Sequence, residues 1–128
     1  MDTDLLVTEG QNLIRRLDEG KIRPRGAIWV YSSDTDDWRL WIVPAKGLTD
    51  KFELYRITSE TLSAHRAEIP TLDVSSIDFK TDEHPAIRGL GQFLHLEGIG
   101  AAHFRNNMLN GFFMPDGVVL QNPFSTFS

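Results

Sequence analysis

With 128 residues, 41% of them hydrophobic and 24% charged, the chain has the size and composition of one globular domain. Those fractions exclude a disordered tract or a collagen-like repeat, and no apolar run approaches the ~18–20 residues of a membrane-spanning helix. Eighteen acidic against thirteen basic residues leave a net charge of −5, which argues against uniform attraction to nucleic-acid phosphates. The absence of cysteine removes disulfides, thiolate metal sites and thiol nucleophiles.

In chain order, Met1-Asp2-Thr3-Asp4 lacks the basic start and apolar stretch of a secretory signal, which predicts a cytoplasmic protein. The spacing of Leu6, Gly10, Leu13 and Leu17, widened by Ile14, predicts a helix over 3–19. Asp2 or Thr3 would cap its start, Gly20 would supply a left-handed C-terminal cap, and Pro24 bars continuation.

Residues 26–44 read as a β-hairpin. Ala27–Tyr31 and Trp38–Val43 are rich in β-branched and aromatic residues and flank the polar turn segment 32–37. Both faces of the first strand are apolar, which predicts a central position covered on each side. All three tryptophans lie in this hairpin. Core packing is the expected role for them, and a stacking platform for a base or sugar is the alternative.

A second helix follows Pro44, capped by Thr49 or Asp50. Phe52, Tyr55, Ser59 and Leu62 form its expected buried stripe, with Leu54, Ile57 and Ala64 flanking. Thr58-Ser59 could divide it, and Pro70 ends it. Ser76–Lys80 alternates as a half-buried strand should. A third helix starts at Asp82 or His84 with Pro85 in its first turn, repeats Ile87, Leu90 and Leu94, and closes at Gly98. A three-stranded meander is expected beyond it: Ala102–Arg105, Met108–Met114 and Val118–Gln121. Its turns would lie at Asn106-Asn107 and Pro115-Asp116-Gly117, with Asn110-Gly111 as the rival turn. The predicted fold is therefore a single α+β domain over 1–128, with an antiparallel or mixed sheet of about five to six strands, helices packed on the sheet, and 122–128 as an extended tail.

The segments Ala27-Ile28-Trp29-Val30-Tyr31, Trp38-Arg39-Leu40, Tyr55-Arg56-Ile57 and Gly98-Ile99-Gly100, leading into Met108-Leu109-Asn110-Gly111, resemble a group of small uncharacterised bacterial proteins. The resemblance implies a bacterial cytosolic protein. It carries no activity, substrate or cofactor, and the tail after Gln121 has no counterpart in it.

Reactive constellations are sparse. His65, His84, His95 and His103 show no His-x-His or His-Glu-x-x-His spacing, so no metal or cofactor is expected. No Gly-x-Ser-x-Gly elbow accompanies the serines, and His103 reads as a packed histidine before it reads as a base. Gly89-Leu90-Gly91 falls inside a helix pattern and is no phosphate cradle. Asp78-Phe79-Lys80 would place a carboxylate and a lysine on one strand face, as metal-dependent phosphodiesterases and nucleases do. Such a site needs a second carboxylate, for which Asp36 and Asp37 are the candidates, and an ordinary salt-bridged surface pair accounts for the motif more simply. Lys21, Arg23 and Arg25, with Arg15 and Arg16 upstream, form the basic patch that nucleic acid would use, or a solvated loop at a helix C-terminus. His103, Arg105, Asn106, Asn107 and Asn110 could line a ligand cleft or serve turns. Between Asn106 and Ser128 only Asp116 is charged, whereas Phe112, Phe113, Met114, Phe124 and Phe127 are large and apolar. A charge-poor sheet edge of this kind must be covered, by the chain's own tail or by another chain. The expected function is accordingly that of a non-enzymatic interaction protein, self-associating or docking on a larger partner through those five residues.

Overall fold

The structure is a computed structural model. It describes residues 3–32, 34–45, 47–81, 83–85, 87–88, 99–109 and 112–121, with the backbone alone at 104–109 and 112–116. The fold is α+β: α1 (Thr3–Asp18), β1 (Gly26–Ser32), β2 (Asp37–Val43), α2 (Lys51–Ala64), a 3-10 turn (Val74–Ser76), β3 (Ile77–Phe79), β4 (Ile99–Leu109) and β5 (Phe112–Gln121). The five strands form one mixed sheet in the order β3-β2-β1-β5-β4. Only β2 and β3 run parallel, as the helical crossover through α2 requires.

β1 is central, flanked by β2 and β5, and both of its faces are buried, as its two-sided apolar pattern predicts. On one face α1 and α2 cover Trp29, Leu40, Ile42, Ile77, Phe79, Val118 and Leu120 with Leu13, Ile14, Leu17, Leu54 and Leu62. On the other face Ile28, Val30, Trp41, Val43 and Val119 pack against Ile87. Pro85 and Arg88 are helical beside Ile87, and the Arg88 N–H donates to the His84 carbonyl at 3.0 Å. Most of the expected third helix, including Leu90, Leu94 and the Gly89-Leu90-Gly91 run, lies outside the described residues.

α1 meets the sheet at Gly10. A Cβ there would lie 2.5 Å from Leu120 Cδ1 and 2.6 Å from Trp29 Nε1. The bare backbone lets the indole reach α1, where Trp29 Nε1 donates to the Leu6 carbonyl at 2.8 Å in a buried position. The α1 end departs from expectation. Gly20 is not left-handed: its N–H donates to Leu17 O at 3.1 Å, and the positive φ of 42° falls at Arg23, whose N–H reaches the same carbonyl. The helix thus closes with a tight turn, and the chain reverses three residues later than a glycine cap would reverse it.

α2 begins at the Asp50 cap, whose carboxylate accepts from the Phe52 and Glu53 N–H groups at 3.1 and 3.4 Å. Its buried stripe is Leu54, Thr58 and Leu62 rather than the expected Phe52–Leu62 line, and Phe52 is 77% exposed. Thr58 can be buried because its hydroxyl donates to the Leu54 carbonyl, and the Thr58-Ser59 step does not break the helix, with Ser59 on its exposed face. The helix ends at Ala64, well before Pro70, on the His65 cap.

The predicted meander is corrected to a single long hairpin. Leu109 pairs with Phe112, so the chain reverses between them, while Asn106-Asn107 and Pro115-Asp116-Gly117 lie within β4 and β5. An Asn-Gly step supplies the positive φ values that a two-residue hairpin connection demands, and this favours the rival turn. The pair Asn110-Gly111 itself lies outside the described residues. Pro115, which lacks a backbone donor, is tolerated within β5 because pairing with β1 runs only from Gln121 to Asp116.

Candidate functional site

Asp78 and Lys80 share the sheet face opposite α1 and α2, where an arginine and an indole engage them. Arg39 grips Asp78 with two bonds, Nε at 2.6 Å and Nη2 at 2.9 Å, and its Nη1 lies 3.8 Å from the Asp37 carboxylate. The positive charge between those two carboxylates is therefore a guanidinium. Lys80 Nζ lies over the Trp41 ring, 4.9 Å from its centroid. Among the described residues no group of three or more His, Asp or Glu side chains is placed to hold a metal ion.

Arg39 also sets how Asp78 titrates. Its hydrogen bonds hold the Asp78 carboxyl below the usual aspartate range, against the opposing effect of partial burial. A carboxyl that titrates lower in the folded than in the unfolded chain stabilises fully above the unfolded value of about 4, and loses that contribution as pH falls through the folded value. Asp78→Asn is therefore expected to be less stable than the parent at neutral pH, with the two urea-unfolding curves converging as pH falls from about 5 towards 2. Curves that stay parallel throughout would show that the pair is not the source of acid sensitivity.

The histidines are dispersed. His65 caps α2 with Nδ1 3.9 Å from Glu68, His84 packs edge-on to Trp41 with ring centroids 5.0 Å apart, and His103 is an exposed position on β4 opposite Val118. Burial, then Lys80, pushes the His84 imidazole below its ordinary titration range. His95 lies outside the described residues. In the basic patch, Lys21 and Arg23 are exposed on the α1–β1 connection and Arg25 is half-buried, while the Arg25 N–H donates to Val43 O at 2.8 Å. Buried Ile22 pins that loop to the core, and Arg16 is engaged by Glu68 at 2.6 Å. The patch is thus a tethered loop with part of its charge neutralised.

Two further features stand out. The first is the C-terminal hairpin. β4 is eleven residues long and occupies the outer edge of the sheet. β5 pairs with β1 only through Asp116, whereas β4 and β5 continue to pair through Asn107–Met114, Met108–Phe113 and Leu109–Phe112. Among the described residues the hairpin therefore runs beyond β1 as a two-stranded ribbon carrying Phe112, Phe113 and Met114. The expected interface positions Phe124 and Phe127 lie outside the described residues. Arg105, Asn106 and Asn107 belong to β4, so they form no turn, and their grouping with His103 is linear along one strand.

The second is a cleft of about 270 Å³ at the turn end of the β1–β2 hairpin. Tyr31 and Trp38 face each other across the strands, with ring centroids 5.4 Å apart and planes at 55°. Leu6 and Glu9 of α1, Trp29, and Thr71 and Leu72 of the α2–β3 connection close it. Trp29 and Trp41 are core residues as expected, but Trp38 is only half-buried and forms a wall of this cleft. Sequence reasoning missed the cleft because its parts are separated by up to 70 positions.

Comparison with protein-family models, curated proteins and solved structures finds no match. The resemblance drawn from the sequence gains no support from them, and function has to be read from the geometry. Among the described residues no helix is long and apolar enough to cross a membrane.

Proposed function

We propose that this chain is a non-enzymatic assembly module that self-associates through the outer edge of β4 and the ribbon beyond it. The observation that carries this reading is the register of the hairpin: among the described residues its outer half pairs only with itself, at the edge of the sheet. A lone two-stranded ribbon is marginal in water, and an exposed edge strand offers unpaired N–H and C=O groups to another strand. From Asn106 to Gln121 the sequence has one charge, Asp116, so it lacks the lysines with which natural proteins block such edges. Strand addition by a second copy would satisfy the edge and cover the apolar ribbon together.

Size exclusion with light scattering is expected to give a mass above one chain that falls on dilution. Phe112→Ser combined with Phe113→Ser is expected to shift the protein to a monomer with unchanged circular dichroism. A parent chain that stays monomeric up to about 0.5 mM, an affinity too weak to matter, would overturn self-association. A chain ending at Gln121 separates the ribbon from the tail: retained association places the contact on the strands, and lost association refutes the edge as sufficient.

A further inference from the structure

We propose that the cleft between α1 and the turn of the β1–β2 hairpin binds an alkylammonium ion, with the Tyr31 and Trp38 rings as its walls and the Asp36 and Glu9 carboxylates as its counter-charge. The reading goes beyond the assembly role and does not depend on it, since a monomer that binds the ion would support this reading and refute the other.

The chemistry follows from how the two carboxylates are held. Glu9 is 2% exposed, yet the donors that satisfy it are neutral: the N–H groups of Thr71 at 2.8 Å and Leu72 at 2.9 Å, and the Thr71 hydroxyl. Asp36 accepts from the Tyr31 hydroxyl, again a neutral donor. Neutral donors orient a carboxylate and leave its charge in place. Among the described residues the cleft lining contains Glu9, Asp36 and Asp37 and no lysine, arginine or histidine. Asp37 adds less, because Arg39 Nη1 lies 3.8 Å from its carboxylate. The result, among the described residues, is a small, partly enclosed space of net negative charge beside aromatic rings.

Aromatic faces attract cations through their quadrupole, and the attraction grows as water is excluded. Tyr31 contributes twice, since its ring stands against Trp38 while its hydroxyl fixes Asp36 at the mouth. Asp36 takes a left-handed backbone, φ 49°, which aspartate and asparagine tolerate better than most residues. The volume, about 270 Å³, accommodates a short aliphatic ammonium. An anion would meet repulsion from every charged group among the described lining residues.

Heteronuclear NMR on the full-length chain tests the assignment. The probes are n-butylammonium, capped lysine and the neutral isostere n-pentanol. The indole N–H signals of Trp29 and Trp38 are expected to shift saturably with n-butylammonium in the millimolar range and not to respond to n-pentanol. Capped lysine separates the sources of the cation: tighter binding than n-butylammonium assigns the cleft to a protein side chain, and failure to bind assigns it to a free amine. Asp36→Asn keeps an acceptor for Tyr31 and the backbone conformation, and should weaken binding about tenfold, a charge effect of the size expected at a partly desolvated site. Trp38→Leu should abolish the shift at Trp29 with the fold retained. Absence of saturable shifts, equal response to n-pentanol, or full affinity in Asp36→Asn would each overturn the proposal.

Discussion

Glu9→Ala is expected to lower the unfolding free energy by about 3 kcal/mol, the loss of a buried charged acceptor from several donors at once. Glu9 is one of two buried polar residues in the described core, the other being Thr58. Its carboxylate ties α1 to the connection between α2 and β3 by accepting from Thr71 and Leu72. Asn12 and Arg16, three and seven positions on, extend the same polar stripe: Asn12 Nδ2 donates to Glu68 O at 3.0 Å and Arg16 pairs with Glu68. Truncation at Glu9 strands two backbone donors and opens a space beside Leu72. Hydrogen bonds to a charged group contribute ~1.5–3 kcal/mol each, and relaxation of the connection towards water recovers part of the total. Glu9→Gln keeps one acceptor oxygen but turns an amide donor towards donors, so a loss of about 2 kcal/mol is expected there. Urea unfolding at constant m-value measures both, and a loss below about 1 kcal/mol for Glu9→Ala would show that the tie is dispensable.

Gly10→Ala is the second large effect, expected to cost about 2 kcal/mol although alanine is the better helix former. Helix propensity alone would favour the variant by ~1 kcal/mol. Against this, the new methyl would stand 2.5 Å from Leu120 Cδ1 and 2.6 Å from Trp29 Nε1. Leu120 is fully buried and Trp29 is 1% exposed, so neither side chain has free space to enter. Overpacking of a filled core costs ~1–3 kcal/mol, and any displacement of the indole also breaks its bond to Leu6 O, leaving a buried donor unpaired at a further ~1–3 kcal/mol. A gain in thermal stability for Gly10→Ala would refute this close approach of α1 to the sheet.

The positions of α1, the β1–β2 hairpin, β3 and the Asp50 cap follow from local pattern, because their burial repeats with the period of the element. The errors have non-local causes. Asn106-Asn107 and Pro115-Asp116-Gly117 carry turn chemistry as good as that of Asn110-Gly111. What separates them is the pairing of β5 with β1, nearly ninety residues away in the chain. Phe52 reads as a core residue until the Thr58 hydroxyl finds a partner in its own helix, which turns the Leu54–Thr58–Leu62 line inward. The polar stripe Glu9–Asn12–Arg16 is invisible to a hydrophobic period, since its reason lies in the 68–72 segment. The candidate sites divide in the same way. The charge-poor ribbon is legible as composition, whereas the cleft depends on Tyr31 and Trp38 meeting across a turn and on an α1 carboxylate arriving from outside the hairpin.

The sheet order has a consequence for biosynthesis. The middle of the sheet joins β1 to β5, a strand that leaves the ribosome some eighty residues after it. Until that strand arrives, the early hairpin has one ladder of backbone groups open and its tryptophans incompletely sheltered. A nascent chain, or one terminated before β5, would thus present sticky intermediates to chaperones and proteases while the segment between the two strands is made, and the sheet would close only when β5 arrives.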